Sequence, residues 1–276
     1  MELKKLGLRV LVAIFGAPLI IFLILKGGLP FAILVLVINL VSQHEFFRLT
    51  ESKGMQPLKS VGMLGGFTIT ISFYYAGLQM LWVVALSTFY CVLLIELFRN
   101  KGSATLNIAA TAWGLFYPPV FFGFMILLRE LPLELNMDYQ LGGRWILLML
   151  ITIWVCDTAA YFVGKAVGKH KLYSRISPHK TVEGAIAGVL FSFITAYIFH
   201  LSYIKSLTLF QCMVIAMIVA IMSQLGDLVE SVFKRDAGVK DSSSLLPGHG
   251  GMLDRFDAPL FVAPLVYFYL KFIVFV

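Results

Sequence analysis

Residues 145–164 read WILLMLITIWVCDTAAYFVG, twenty residues with a single charged side chain, Asp157. Eighteen or more largely apolar residues carry a helix across the ~30 Å hydrocarbon core of a bilayer. The pattern recurs on both sides of this stretch. Apolar runs at about 8–25, 29–43, 60–76, 78–97, 105–128, 184–201, 207–227 and 258–275 give nine spans when 145–164 is included. Over all 276 residues the mean hydropathy is +0.89, with 59% hydrophobic and 13% charged residues. A soluble core of this size needs far less apolar sequence, and a membrane barrel shows alternating segments of roughly ten residues instead. The expected fold is an all-α polytopic membrane protein of about nine transmembrane helices. It forms one integral membrane domain, 1–276, with N-terminal helices in 1–143 and the chemistry in 144–276.

The connections set the orientation. Lys26-Gly27-Gly28 and Ala76-Gly77 are short enough for tight helical hairpins, and Pro118-Pro119 is expected to kink the fifth span. With the N-terminus in the cytoplasm, the inner segments hold 17 of the 22 Lys and Arg residues; the outer side holds Lys26, Arg129, Arg144, Lys205 and Lys271. A bias of this size fixes the N-terminus inside and the C-terminus outside. The opening MELKKLGLRVLVAIFGAPLIIFLILK has the basic head and apolar run of a signal peptide, but with eight spans behind it we read a retained first helix.

The net charge of +7 does not point to nucleic acid, because the basic residues lie between apolar spans, where topology accounts for them. Cys91, Cys156 and Cys212 have no metal or redox spacing and are expected to be buried packing residues. The segment 44–59, HEFFRLTESKGMQPLK, mixes both charge signs with aromatic residues and is expected to be an interfacial amphipathic segment.

Two polar loops, 165–183 and 228–257, fall on the cytoplasmic face. The window 223–257, SQLGDLVESVFKRDAGVKDSSSLLPGHGGMLDRFD, holds six of the fifteen acidic residues. At the end of the eighth span, Ser223, Gln224, Asp227, Glu230, Ser231 and Lys234 share one arc of about 120° at ~100° per residue. Leu225, Leu228, Val229 and Val232 form the opposite face. A polar stripe of this kind belongs against the bundle interior or a watery cavity. A solvated helix end accounts for Glu230 and Lys234 as well, but less readily for Asp227. Asp157, an intramembrane carboxylate, is either functional or satisfied by a neighbouring helix.

Further along, Ser177, Lys180, Thr181 and Glu183 precede a helix start. They suit a plain helix cap and a phosphate site alike. Lys234, Arg235, Lys240, His249 and Arg255 offer donors to phosphate oxygens. Gly250 and Gly251 let backbone N–H groups approach a ligand. Asp254 and Asp257 lie one helical turn apart and, with Asp227, offer oxygen ligands to a hard divalent ion such as Mg²⁺. A helix N-terminus near Pro259 adds a positive end. Carboxylates, cations and a glycine loop at a membrane surface suggest Mg²⁺-assisted phosphoryl or nucleotidyl transfer. The residues alone name neither nucleotide nor acceptor.

Ser231-x-Phe233-Lys234-Arg235, Lys240-Asp241 and His249-Gly250-Gly251-Met252-x-Asp254-Arg255-Phe256-Asp257 resemble the signature of the phosphatidate cytidylyltransferase family. Ser177-Pro178-His179-Lys180-Thr181-x-Glu183-Gly184 resembles a second family motif, with His179 where many members carry Lys. The resemblance implies transfer of a cytidylyl group from CTP to phosphatidic acid, with pyrophosphate leaving. It implies Asp227, Asp254 and Asp257 as metal ligands for Mg²⁺, with room for a second cation, and Asp227, Lys234, Asp254 and Asp257 as the catalytic set. Ser177, Lys180, Thr181, Glu183, Arg235, Lys240, Asp241, His249, Gly250, Gly251 and Arg255 become substrate-binding residues, with Asp157 as a further candidate. The expected partners are CTP, phosphatidic acid, membrane lipids and a second copy of the chain, but no nucleic acid. The expected location is the inner (plasma) membrane, with the site facing the cytoplasm. The alternatives are a CTP-dependent lipid kinase, a cytidylyltransferase for another lipid phosphate, and a secondary transporter. A transporter places its site near the bilayer midplane, often between repeats. Here no repeat is visible and the polar groups gather at one surface.

Overall fold

The computed structural model describes residues 2–245 and 250–276, with side chains from Ile14 onward. Nine α-helices and one β-hairpin lie among the described residues: α1 (Glu2–Lys26), α2 (Gly28–Ser52), α3 (Lys59–Ala76), α4 (Leu81–Arg99), α5 (Ala104–Glu134), α6 (Gln140–Val167), β1 (Lys171–Tyr173), β2 (Ser177–Thr181), α7 (Val182–Ser202), α8 (Leu209–Asp236) and α9 (Leu253–Tyr269). A π-helical turn, Leu270–Val274, follows α9. Among the described residues, seven helices are long and apolar enough to cross a membrane: α2, α4, α5, α6, α7, α8 and α9 with its π turn. The protein is therefore a helical, polytopic integral membrane protein.

The chain gathers into two compact units, Met1–Leu127 with Phe233–Phe256, and Leu128–Val232 with Asp257–Val276. In the first unit, glycines let α3 approach its neighbours closely. A Cβ on Gly62 would collide with Phe47, and one on Gly66 with Gln43. The polar groups of this core are matched. Gln43 Nε2 donates to the carbonyls of Gly62 (2.8 Å) and Gly114 (3.0 Å), and Asn39 Nδ2 to Thr70 Oγ1 (2.8 Å). Glu96, buried on α4, accepts from Asn107 Nδ2 (2.7 Å) and from Arg99 (3.2 Å). Gly27 joins α1 to α2 at φ 67°, and Gly77 follows α3 at φ 58°; these left-handed conformations make the expected tight turns.

In the second unit, α6 and α7 pack along much of their length. A Cβ on Gly184 would lie 2.6 Å from the Ala160 carbonyl, and one on Gly188 would lie 2.9 Å from Cys156 Sγ. Small residues at such crossings let helix backbones meet where lipid offers no hydrophobic drive for association. Arg129 is fully buried; it donates to the Tyr139 carbonyl (3.0 Å) and its guanidinium sits over the Tyr139 ring at 4.1 Å.

Several boundaries differ from the sequence expectation for one reason. Glu, Gln, Lys and Arg are good helix formers, so helices continue past the point where apolar sequence stops. The segment 44–59 is no separate interfacial element, because α2 runs to Ser52 and Glu45 is buried inside the first unit. α8 runs to Asp236, so the loop expected over 228–257 is confined to the residues between Asp236 and Leu253. α9 begins at Leu253, which puts Pro259 inside the helix rather than at its start. The loop 165–183 is largely the hairpin, with Lys171 opposite Thr181 and Tyr173 opposite Ser177. α5 stays helical through Pro118 and Pro119. Cys156 and Cys212 are buried, but Cys91 is exposed on α4.

The α6–α7 contact makes a direct test. Gly188→Val should lower the thermal midpoint of the detergent-purified protein by several degrees, because overpacking costs about 1–3 kcal/mol. Gly16→Ala, where an added Cβ meets nothing within 4 Å, should not lower the midpoint, since alanine is the better helix former.

Candidate active site

The polar stripe of α8 faces inward. Ser223 and Glu230 are fully buried, and Ser231 and Lys234 nearly so, whereas Leu225 and Val232 on the opposite face are exposed. Exposed apolar residues suit a lipid-facing surface, so the helix turns its charges away from the bilayer.

In the second unit this stripe delivers a carboxylate group. Oxygens of Asp227, Glu230 and Asp257 lie within 4.8 Å of one another, and among the described residues no other set of acidic, His or Cys side chains converges this way. Asp227 and Glu230 stand three residues apart on α8, and Asp257 comes from α9. Lys180 Nζ lies 2.6 Å from Asp227 Oδ2, and Ser231 Oγ donates to Asp227 Oδ1 (3.2 Å). Asp157 on α6 interacts electrostatically with both Lys180 and Asp227. Ionised carboxylates at this separation repel one another, and a cation among them or a proton on one of them relieves that repulsion. An all-oxygen donor set fits a hard divalent ion such as Mg²⁺, which keeps part of its water shell for substrate oxygens. The residues present therefore fit the expected metal.

The hairpin supplies Lys180. Thr181 closes it as the N-cap of α7, accepting from the Gly184 amide (3.2 Å). Glu183 accepts from the His170 amide (3.2 and 3.3 Å) and lies 2.6 Å from His170 Nδ1, fastening the strand to the helix start. Thr181 and Glu183 thus act as local supports in this structure, while Lys180 reaches the carboxylates. Ser177 is half-buried on β2.

In the first unit Lys234 is buried, and its Nζ donates to Asp254 Oδ1 (2.7 Å). Asp254 Oδ2 accepts from Ser242 N (2.9 Å), Ser242 Oγ (3.0 Å) and Gly251 N (2.7 Å). Asp254, expected among the metal ligands, therefore has a dense set of protein donors, and the converging carboxylates include Glu230 beside Asp227 and Asp257. Gly250 takes φ 86°, and a Cβ on Gly251 would collide with Ser242 Oγ and crowd the Glu45 carboxylate. Arg235 is exposed and donates to the Val239 carbonyl (2.8 Å), while Lys240, Asp241 and Arg255 are also exposed. His249 lies outside the described residues.

Two acidic residues stand outside the expected site set. Glu230 belongs to the expected Asp227 stripe, but a solvated helix end accounts for it equally well, and its shared arc with Asp227 is the signal that finds it. Glu45 was placed in an interfacial segment because the apolar run stops at residue 43. Helix continuation would have flagged it as a carboxylate at membrane depth.

Comparison with known proteins bears on the whole chain. A family model described as the cytidylyltransferase family matches residues 7–273. Phosphatidate cytidylyltransferase of Bacillus subtilis (strain 168) is 35% identical over 271 residues, covering 95% of this chain and 96% of the relative. The protein of the same name from Staphylococcus saprophyticus is 33% identical over 262 residues, covering 94% and 96%. That of Staphylococcus aureus (strain COL) is 32% identical over 265 residues, again covering 94% and 96%. With a family model spanning nearly its full length and relatives aligned end to end, the chain belongs to the cytidylyltransferase family.

Proposed function

We propose that this protein transfers a cytidylyl group from CTP to phosphatidic acid, producing CDP-diacylglycerol and pyrophosphate. The observation that carries this is the convergence of Asp227, Glu230 and Asp257, with Lys180 on Asp227, in a chain matched to the family over residues 7–273. A phosphate oxygen of phosphatidic acid attacks the α-phosphorus of CTP, a new P–O bond forms, and the bond to the bridging oxygen of the β-phosphate breaks. Pyrophosphate carries away the electron pair. No enzyme nucleophile is required, so positioning and charge neutralisation supply the catalysis.

Asp227, Glu230 and Asp257 would hold Mg²⁺, which neutralises charge on the phosphate oxygens. A second cation is carried over from the resemblance. Lys180 balances Asp227 and is placed to meet a phosphate oxygen. Lys234, oriented by Asp254, presents buried positive charge, and Arg235, Lys240, His249 and Arg255 would bind nucleotide phosphates with the amide of Gly250, while Gly251 leaves room for the turn and gives its own amide to Asp254. Ser177 completes the set from the hairpin, and Asp157 adds negative potential near Lys180. In this reading the chain has nine spans with its N-terminus in the cytoplasm, the site opens on the cytoplasmic face of the plasma membrane, and the protein pairs as a homodimer. The basic bias of the inner segments supports that orientation.

Two tests follow. Labelled CTP incubated with phosphatidic acid should put α-phosphate label into lipid, with full dependence on Mg²⁺. Label arriving from the γ-phosphate would identify a kinase and overturn the assignment. Asp227→Asn and Glu230→Gln should each lower kcat by at least about a hundredfold, the scale of losing a preorganised electrostatic group, while the protein remains folded. A near-normal rate in either variant removes that residue from the site.

A further inference from the structure

We propose that Glu45 is a positioning residue that holds the nucleotide loop in its working shape. The proposal rests on the reading that Lys240, Gly250 and Arg255 meet the phosphates of CTP. Glu45 lies on α2 and is only 2% exposed. Its carboxylate accepts four hydrogen bonds from a segment about two hundred residues away. Oε1 accepts from Ser243 Oγ (2.5 Å) and Met252 N (3.0 Å); Oε2 accepts from Ser242 Oγ (3.1 Å) and Leu253 N (2.8 Å). One side chain thereby clasps both ends of the stretch between Ser242 and Leu253.

Each bond has a physical consequence. The amides of Met252 and Leu253 open α9, where backbone donors have no partner within the helix and the dipole is positive. Glu45 takes these donors, acting as an N-cap supplied from another helix. The N-terminus of α9 is thus occupied by a protein carboxylate and is not available to a phosphate. Ser242 is shared between Glu45 and Asp254, and Gly251 passes too close to Glu45 to tolerate a Cβ. Asp254 in turn fixes Lys234. Glu45 therefore acts on the Lys234 ammonium through Ser242 and Asp254, without touching substrate itself.

The donor pattern specifies glutamate. Gln replaces one oxygen with an NH₂ group, which then faces a backbone N–H unable to reverse its polarity. Leaving such a buried donor unmatched is costly. Charge-assisted bonds to a carboxylate are also roughly twice as strong as neutral ones.

Steady-state kinetics of the full-length protein in mixed micelles test the role. The set comprises wild type, Glu45→Gln, Ser243→Ala and Lys240→Ala, each with its thermal midpoint. Glu45→Gln should raise the KM for CTP about tenfold or more, with the KM for phosphatidic acid within about twofold of wild type. Ser243→Ala, which removes one of the four donors and keeps the carboxylate, should shift the CTP KM in the same direction by less. A variant with a lowered thermal midpoint and a wild-type CTP KM would reduce Glu45 to a structural cap and overturn the proposal. If Glu45→Gln yields no folded protein, Ser243→Ala decides, and an unchanged CTP KM then rejects the role. Lys240→Ala separates the two levels. If it raises the CTP KM while the Glu45 and Ser243 variants do not, only the Glu45 role fails. If it too leaves the CTP KM unchanged, the placement of the loop at the phosphates fails.

Discussion

A carboxylate cannot remain ionised inside an apolar helical bundle without cations or hydrogen-bond donors, because removing it from water costs several kcal/mol. The polar architecture of this protein follows from that constraint. Glu96 meets Asn107 and Arg99, Glu45 meets two hydroxyls and two amides, and Asp254 meets Lys234, Ser242 and Gly251. Asp227, Glu230 and Asp257 differ in kind, since their oxygens converge within 4.8 Å of one another, with Lys180 beside Asp227. The first three carboxylates organise backbone and side chains. The converging trio offers the all-oxygen donor set that a hard divalent ion takes.

That division separates scaffold from chemistry. Lys234 with Asp254, and Lys180 with Asp227, are ion pairs whose cations are half-buried or buried. Such cations cost less to present to a phosphate than flexible surface lysines, because their rotamers are already fixed and little further ordering is needed. Arg235, Lys240 and Arg255 are exposed and suit the capture of a polyanion from solution. A lipid substrate and a soluble nucleotide impose both demands on one protein.

Much of this was legible in the sequence. Apolar length alone marked the helices, and glycines at positions 27 and 77 marked the tight turns. The spacing of Ser223, Asp227, Glu230, Ser231 and Lys234 marked an inward stripe, which burial of Ser223, Glu230, Ser231 and Lys234 bears out. Helix ends were not legible, because hydropathy registers the membrane boundary while backbone hydrogen bonding registers the helix, and α2, α8 and α9 extend beyond their apolar cores. Glu45 was lost for that reason. Its partners lie about two hundred residues away, and no local pattern reveals a cap donated across such a separation. The hairpin 171–181 was hidden as well, since a three-residue strand leaves almost no alternation to read.

The central claim is that Asp227, Glu230 and Asp257 together hold a divalent cation. Titration of the purified protein with Mn²⁺, followed by electron paramagnetic resonance of the free ion, tests it without depending on turnover. Wild type should bind Mn²⁺ in competition with Mg²⁺, and Glu230→Gln and Asp257→Asn should each weaken that binding by at least about tenfold. Binding of Mn²⁺ by both variants as tightly as by wild type would contradict the account and place the metal on other residues.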